Sequence, residues 1–105
     1  MSVTANIEQN IILDQKIVNT TTPPGKWKVV FINDNKTPMD FVIQVLQMIF
    51  KHNESTAQTI MHKVHEEGQA VAGVYTYEIA EQKSSETQSL ARANKFPLTL
   101  NLEPE

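Results

Sequence analysis

Three apolar patterns predict a small α+β domain. They are an alternating β-branched and aromatic run at residues 27–32, apolar side chains at three- and four-residue spacing between Phe41 and Phe50, and the strict alternation Leu98-Thr99-Leu100-Asn101-Leu102. Period two belongs to a pleated strand, and period 3.6 to a helix with one buried face. The segments between these anchors complete the order β-α-α-β-α-β, an α/β sandwich with three helices on one face of a three-stranded antiparallel sheet. A chain of 105 residues, 40% of them hydrophobic, supports one domain with one modest core.

The first change of character falls at Thr20-Thr21-Thr22-Pro23-Pro24-Gly25, where two prolines and a polar run forbid a regular element. Residues 1–25 therefore read as a flexible N-terminal extension, and residues 26–105 as the folded core. Within the extension Ile7, Ile11, Ile12, Leu13, Ile17 and Val18 have some helical spacing but little to pack against.

In the first strand Trp27, Val29 and Phe31 alternate with Lys28, Val30 and Ile32. It ends in Asn33-Asp34-Asn35-Lys36, residues whose short polar side chains bond to nearby backbone N–H groups and so favour turns. Thr37 is suited to cap the next helix, Pro38 to its first position and Asp40 to its third, a capping-box arrangement. Phe41, Val42, Val45, Leu46, Ile49 and Phe50 give that helix one wide apolar face, and it is expected to run to about His52-Asn53.

Asn53 or Ser55 caps a second helix, with Ala57, Ile60, Met61 and Val64 on its buried side and Gly68 closing it in the left-handed conformation. Residues 70–75 read as a second strand in which Gly73 marks a bulge or a close contact. Thr76 caps a third helix, which Asn94 ends. Its apolar marks are only Ile79, Ala80, Leu90 and Ala91, so the polar run at 81–89 is expected to face water. Pro97 then leads into the last strand. With the first strand central, the other two pair antiparallel to it, and the third helix is the crossover.

Composition excludes several functions. Cysteine is absent, which removes disulfides, thiolate zinc sites and a Cys nucleophile. The net charge is -3, and the nine Lys and Arg residues are scattered, so no basic stripe exists to follow a nucleic-acid backbone. Apolar stretches such as 29–32 and 11–13 are far shorter than a membrane span or a signal-peptide core, which points to a cytoplasmic protein with no membrane partner. His62 and His65 stand three apart beside Glu66 and Glu67, a spacing unlike the helical His-Glu-x-x-His zinc pattern, so neither metal nor cofactor is expected.

Taken singly, the candidate functional residues have plain explanations. Asn33, Asp34 and Asn35 are turn formers, His65 is a half-buried helix residue, and Met39, Met61 and Val64 suit a core. Together they carry more. Asn33-Asp34 followed by Thr37-Pro38-Met39-Asp40-Phe41-Val42, then Val64-His65-Glu66-Glu67-Gly68, then Tyr75-Thr76-Tyr77-Glu78-Ile79-Ala80-Glu81-Gln82-Lys83, and finally Pro97-Leu98, stand in order across residues 27 to about 103. In this combination the chain resembles the ClpS adaptors of the bacterial N-end rule pathway. These carry substrates to a ClpA-type AAA+ ATPase, which unfolds them for the ClpP protease.

That resemblance implies an adaptor without catalytic residues, which binds the N-terminal residue of its substrates when that residue is Phe, Tyr, Trp or Leu. It implies that Asn33, Asp34 and His65 hold the α-amino group, and that Thr37, Met39, Met61, Val64 and Leu98 form the hydrophobic pocket. Asn35 stands where the family often has a second Asp and is a candidate contact for the residue after the first. Glu78 and Lys83 match positions that meet the ATPase N-terminal domain, though the residues alone favour an ordinary solvated helix face. The extension at 1–25 corresponds in kind, not in letters, to the mobile segment that ClpS proteins use in handing over substrate, and its role is implied by that resemblance. Two other readings stay open: an enzyme using Asp34 and His65 as an acid–base pair, which no nucleophile or cofactor motif accompanies, and a purely structural interaction domain.

Overall fold

The alternating run at the start of the core becomes the central strand of the domain, β1 (Lys26–Ile32). A computed structural model describes residues 24–105, so almost all of the predicted N-terminal extension lies outside the described residues. The remaining elements are α1 (Met39–Met48), α2 (Glu54–Glu67), β2 (Gln69–Thr76), α3 (Tyr77–Ala93) and β3 (Thr99–Pro104). The sheet order is β2-β1-β3, with β1 antiparallel to both neighbours and α3 crossing between the edges, as the patterning predicts.

Val29 and Phe31 on β1, Ala70 and Ala72 on β2, and Leu100 on β3 face the helices and are almost fully buried. Against them pack Phe41, Val42, Val45 and Leu46 of α1, and Ala57, Met61 and Val64 of α2. Each large apolar side chain so buried is worth roughly 1.5–3 kcal/mol. The β1–β2 register slips between Val29 and Val30, so that Ala72 is the extra residue of a bulge. Gly73 beside it also meets the second expectation for that glycine: a Cβ there would stand 2.6 Å from Tyr75 Cζ.

Both ends of α1 depart from the sequence expectation. Thr37 is not its cap. The residue at the N-cap position is Pro38, in extended geometry (φ -65°, ψ 145°), and it makes no side-chain cap bond. The Thr37 hydroxyl and N–H both turn back to Asp34 instead, so the predicted capping box does not form. At the other end the helix stops at Met48, before the predicted His52-Asn53 boundary, and Lys51 takes a left-handed φ of 61°. The apolar spacing nevertheless continues, because the chain curls inward there: Phe50 is buried and meets Phe31 edge-on at 5.4 Å.

For α2 the cap is Asn53, whose side chain accepts from Thr56 N–H at 2.8 Å. α3 buries Ala80, Ser84, Thr87 and Ala91, so the expectation that its polar middle faces water is wrong for two of these residues. Four small side chains at helical spacing let the helix approach the sheet closely. The Thr87 hydroxyl donates to the Lys83 carbonyl at 2.8 Å, which removes the penalty for burying it.

Gly68 ends α2 with φ 91°, a conformation that costs any residue bearing a Cβ. Gly68→Ala is expected to lower stability by about 1 kcal/mol in urea denaturation. An unchanged midpoint would show that the helix end relaxes freely.

Candidate functional site

The site begins where the β1–β2 ladder ends. Ile32 pairs with Gln69, and the next amide, Asn33 N–H, donates to the Gly68 carbonyl at 2.9 Å. Since Gly68 is also the C-cap of α2, this bond sets the last turn of that helix beside the loop that leaves the central strand. Met61, Val64 and His65 share one face of the turn by their spacing of three and four.

The loop is organised by a single carboxylate. Asp34 Oδ1 accepts from Lys36 N–H at 2.8 Å and Thr37 N–H at 2.7 Å, and Oδ2 accepts from the Thr37 hydroxyl at 2.7 Å. Burial raises the Asp34 pKa, but the bonds from Thr37 and Lys36 and the positive charge of Arg92 outweigh it, so the group titrates below the ordinary carboxylate range. Asp34 is therefore negatively charged at neutral pH.

Between this loop, the start of α1 and the end of α2 opens a cavity of about 370 Å³, within the range of roughly 300–1,000 Å³ usual for ligand sites. Asn33, Asp34, Asn35, Lys36, Thr37 and His65 form its polar lining. Met39, Val42, Met61 and Val64 form the apolar wall. Met61 and Val64 are nearly buried, whereas Met39 is 42% exposed. The lining sets hydrogen-bond acceptors and two residues of opposite charge, Asp34 and Lys36, beside apolar side chains.

Of the predicted residues, the structure brings Asn33, Asp34, Asn35, Thr37, Met39, Met61, Val64 and His65 together around this cavity. It places Leu98 in the core at 1% exposure, not on the cavity wall. Val42, which its spacing marks as core, lines the cavity as well. The signal for it was its position three residues after Met39, one helical turn along the same face.

Glu78 is exposed in the first turn of α3. Lys83 is half-buried: its ammonium donates to the Ile49 carbonyl at 2.7 Å and lies over the rings of Tyr75 and Phe50, 5.4 and 5.9 Å from their centroids. It thus satisfies a backbone group left open where α1 ends. Among the described residues no three His, Asp or Glu side chains are grouped to hold a metal ion, and no helix is long and apolar enough to cross a membrane.

Fold and cavity together define a small α+β module with a polar-rimmed apolar cavity. Residues 22–101 match the family model described as ATP-dependent Clp protease adaptor protein ClpS. The chain is 41% identical over 103 residues to the ATP-dependent Clp protease adapter protein ClpS of Shewanella halifaxensis, covering 98% of each. With that of Sodalis glossinidius it is 39% identical over 97 residues, covering 92% of each. A solved structure, Agrobacterium tumefaciens ClpS2 bound to L-phenylalaninamide, superposes with a TM-score of 0.75 at 38% identity, covering 79% of this chain and 100% of that one. The chain belongs to the ClpS family of Clp protease adaptors.

Asp34 gives the site a checkable pH dependence. Its folded pKa is depressed, so its contribution to stability is present above the unfolded carboxylate value and is lost as pH falls through the folded one. Asp34→Ala is expected to cost about 1–2 kcal/mol at pH 7. That difference should begin to narrow as pH falls below roughly 4 and go on shrinking as it passes through the lower folded value. Equal urea midpoints for the two proteins at pH 7 would refute the assignment.

Proposed function

We propose that this chain binds substrate proteins by a first residue that is Phe, Tyr, Trp or Leu, and delivers them to a ClpA-type AAA+ ATPase for degradation by ClpP. The supporting observation is the cavity itself. A free protein N-terminus presents an α-ammonium and a side chain within a few bonds of each other, and here three acceptor-bearing residues stand beside an apolar wall. The related ClpS2 was solved with L-phenylalaninamide. That molecule has the free amine and aromatic side chain of a leading phenylalanine, with an amide where the peptide would continue.

In this reading Asn33, Asp34 and His65 hold the ammonium, His65 by a ring nitrogen that accepts only when the imidazole is neutral. Met39, Met61, Val64, Thr37 and the newly recognised Val42 surround the side chain, with Leu98 supporting them from the core. Methionines suit a pocket that takes both flat rings and a branched chain. Burial of one such side chain gives roughly 1.5–3 kcal/mol, and each charge-assisted hydrogen bond about 1.5–3. After the cost of association, a micromolar dissociation constant, about -8 kcal/mol, is the expected scale. Asn35 at the rim faces the second residue without the charge of an Asp.

The chain carries out no chemistry on what it binds and works in the cytoplasm. Glu78 on the exposed start of α3 meets the ATPase N-terminal domain. Lys83 contributes there mainly by bracing α3 against the end of α1. Residues 1–25 take part in the hand-over.

Fluorescence anisotropy with four labelled peptides tests the binding step: Phe-leading, Leu-leading, Arg-leading, and Phe-leading with an acetylated amine. The first two should bind, acetylation should abolish binding, and the Arg peptide should bind weakly. Equal binding of all four, or of none, would overturn the reading.

Met39 stands at the mouth, where it narrows the hole against side chains branched at Cβ. Met39→Ala should therefore admit Ile- and Val-leading peptides. An unaltered ranking of first residues would sink this role.

A further inference from the structure

The C-terminal end of α3 carries a device that neither the fold nor the cavity by itself requires. Asn94 caps the helix, Lys95 takes a left-handed φ of 63°, and the chain reverses toward β3. Across this reversal Arg92 Nη1 donates to two carbonyls, Phe96 O at 2.8 Å and Leu98 O at 3.0 Å. One guanidinium nitrogen thus fixes the segment around Pro97 from both sides. The two residues it holds lead toward the receptor site. Phe96 packs edge-on against Phe41 at 4.9 Å, in the first turn of α1 between Met39 and Val42. Leu98 lies in the same core as Val42, Met61 and Val64.

We infer that Arg92 is a positioning residue for the receptor site: through its clamp on the Phe96 and Leu98 carbonyls it sets Phe41, and with it the apolar wall that Met39 and Val42 present. The same guanidinium acts on the polar side, since its charge favours the ionised form of Asp34. Lys36 on its own loop and His65 from α2 line the cavity with Asp34, and Arg92 from α3 is the charged side chain whose field lowers its pKa. A shift in the Asp34 titration on removing Arg92 alone is therefore attributable to that residue. This inference deepens the proposed function and rests on it for the binding readout, but not for the titration.

The test compares the full chain with Arg92→Met, which keeps the apolar stem and removes donors and charge, and Arg92→Lys, which keeps the charge. Phe-leading peptide is expected to bind Arg92→Met about tenfold more weakly. The Asp34 carboxyl midpoint, followed by carbon NMR in the free protein, should rise in Arg92→Met and return toward the wild-type value in Arg92→Lys. A merely structural arginine would lower thermal stability without moving that midpoint. Should Arg92→Met fail to fold, Arg92→Gln takes its place, with intermediate affinity and a raised midpoint expected. Wild-type affinity and a wild-type midpoint in the folded neutral variant would overturn the inference. If wild-type protein binds no Phe-leading peptide, the proposed function fails, while the midpoint still decides whether Arg92 acts on Asp34.

Discussion

The cavity depends on one backbone hydrogen bond beyond the end of the sheet, from Asn33 N–H to the Gly68 carbonyl. It carries the β1–β2 ladder one step into the loops and so joins two chain reversals, the exit from the central strand and the C-cap of α2. Without it the acceptor loop and the helix face bearing Met61, Val64 and His65 would be set separately. With it, both are referred to the most buried strand in the molecule, where Val29 and Phe31 are 0% exposed. A site built on paired backbone is held more firmly than one built on loops alone.

The other half of the site, α1, is fixed from outside because it is short and lacks a side-chain cap at its start. At its far end Lys83 satisfies the Ile49 carbonyl, and Phe50 folds in against Phe31. At its near end Phe41 rests on Phe96. Both supports involve α3 or the chain just after it. A helix none of whose residues line the cavity, and whose buried stripe is Ala, Ser and Thr, thus helps to support both ends of α1.

Element order, sheet topology, the Gly68 cap and the central strand were legible because each rests on a local rule that tertiary structure did not overrule, whereas Asn53 and Ser55 were equal candidates for the cap of α2. The ends of α1 were not. Thr37 has one hydroxyl and two plausible partners, the helix it precedes and the carboxylate three residues back, and only the folded loop shows that Asp34 takes it. The middle of α3 misled for a different reason, since Ser84 and Thr87 are small enough to sit in a core but count as polar in any hydropathy pattern. Eight of the residues around the cavity were named from the family resemblance, not from periodicity, which would have assigned Met39, Met61 and Val64 to an ordinary core. Lys83 was unreadable in principle, because its partner is a carbonyl 34 residues away, and carbonyls leave no mark on a sequence.

The satisfied carboxylate of Asp34 has a kinetic consequence. A loop already closed on itself by Lys36 and Thr37 leaves little to order when a chain end arrives, so that entropy is spent in folding, not in binding. Encounter then becomes a single step whose rate varies little from one cargo to another, and selectivity resides in dissociation. On the proposed function, such an adaptor would sort proteins by residence time: a well-fitting first residue would stay long enough to be passed on, and a poor one would leave before the next component is met.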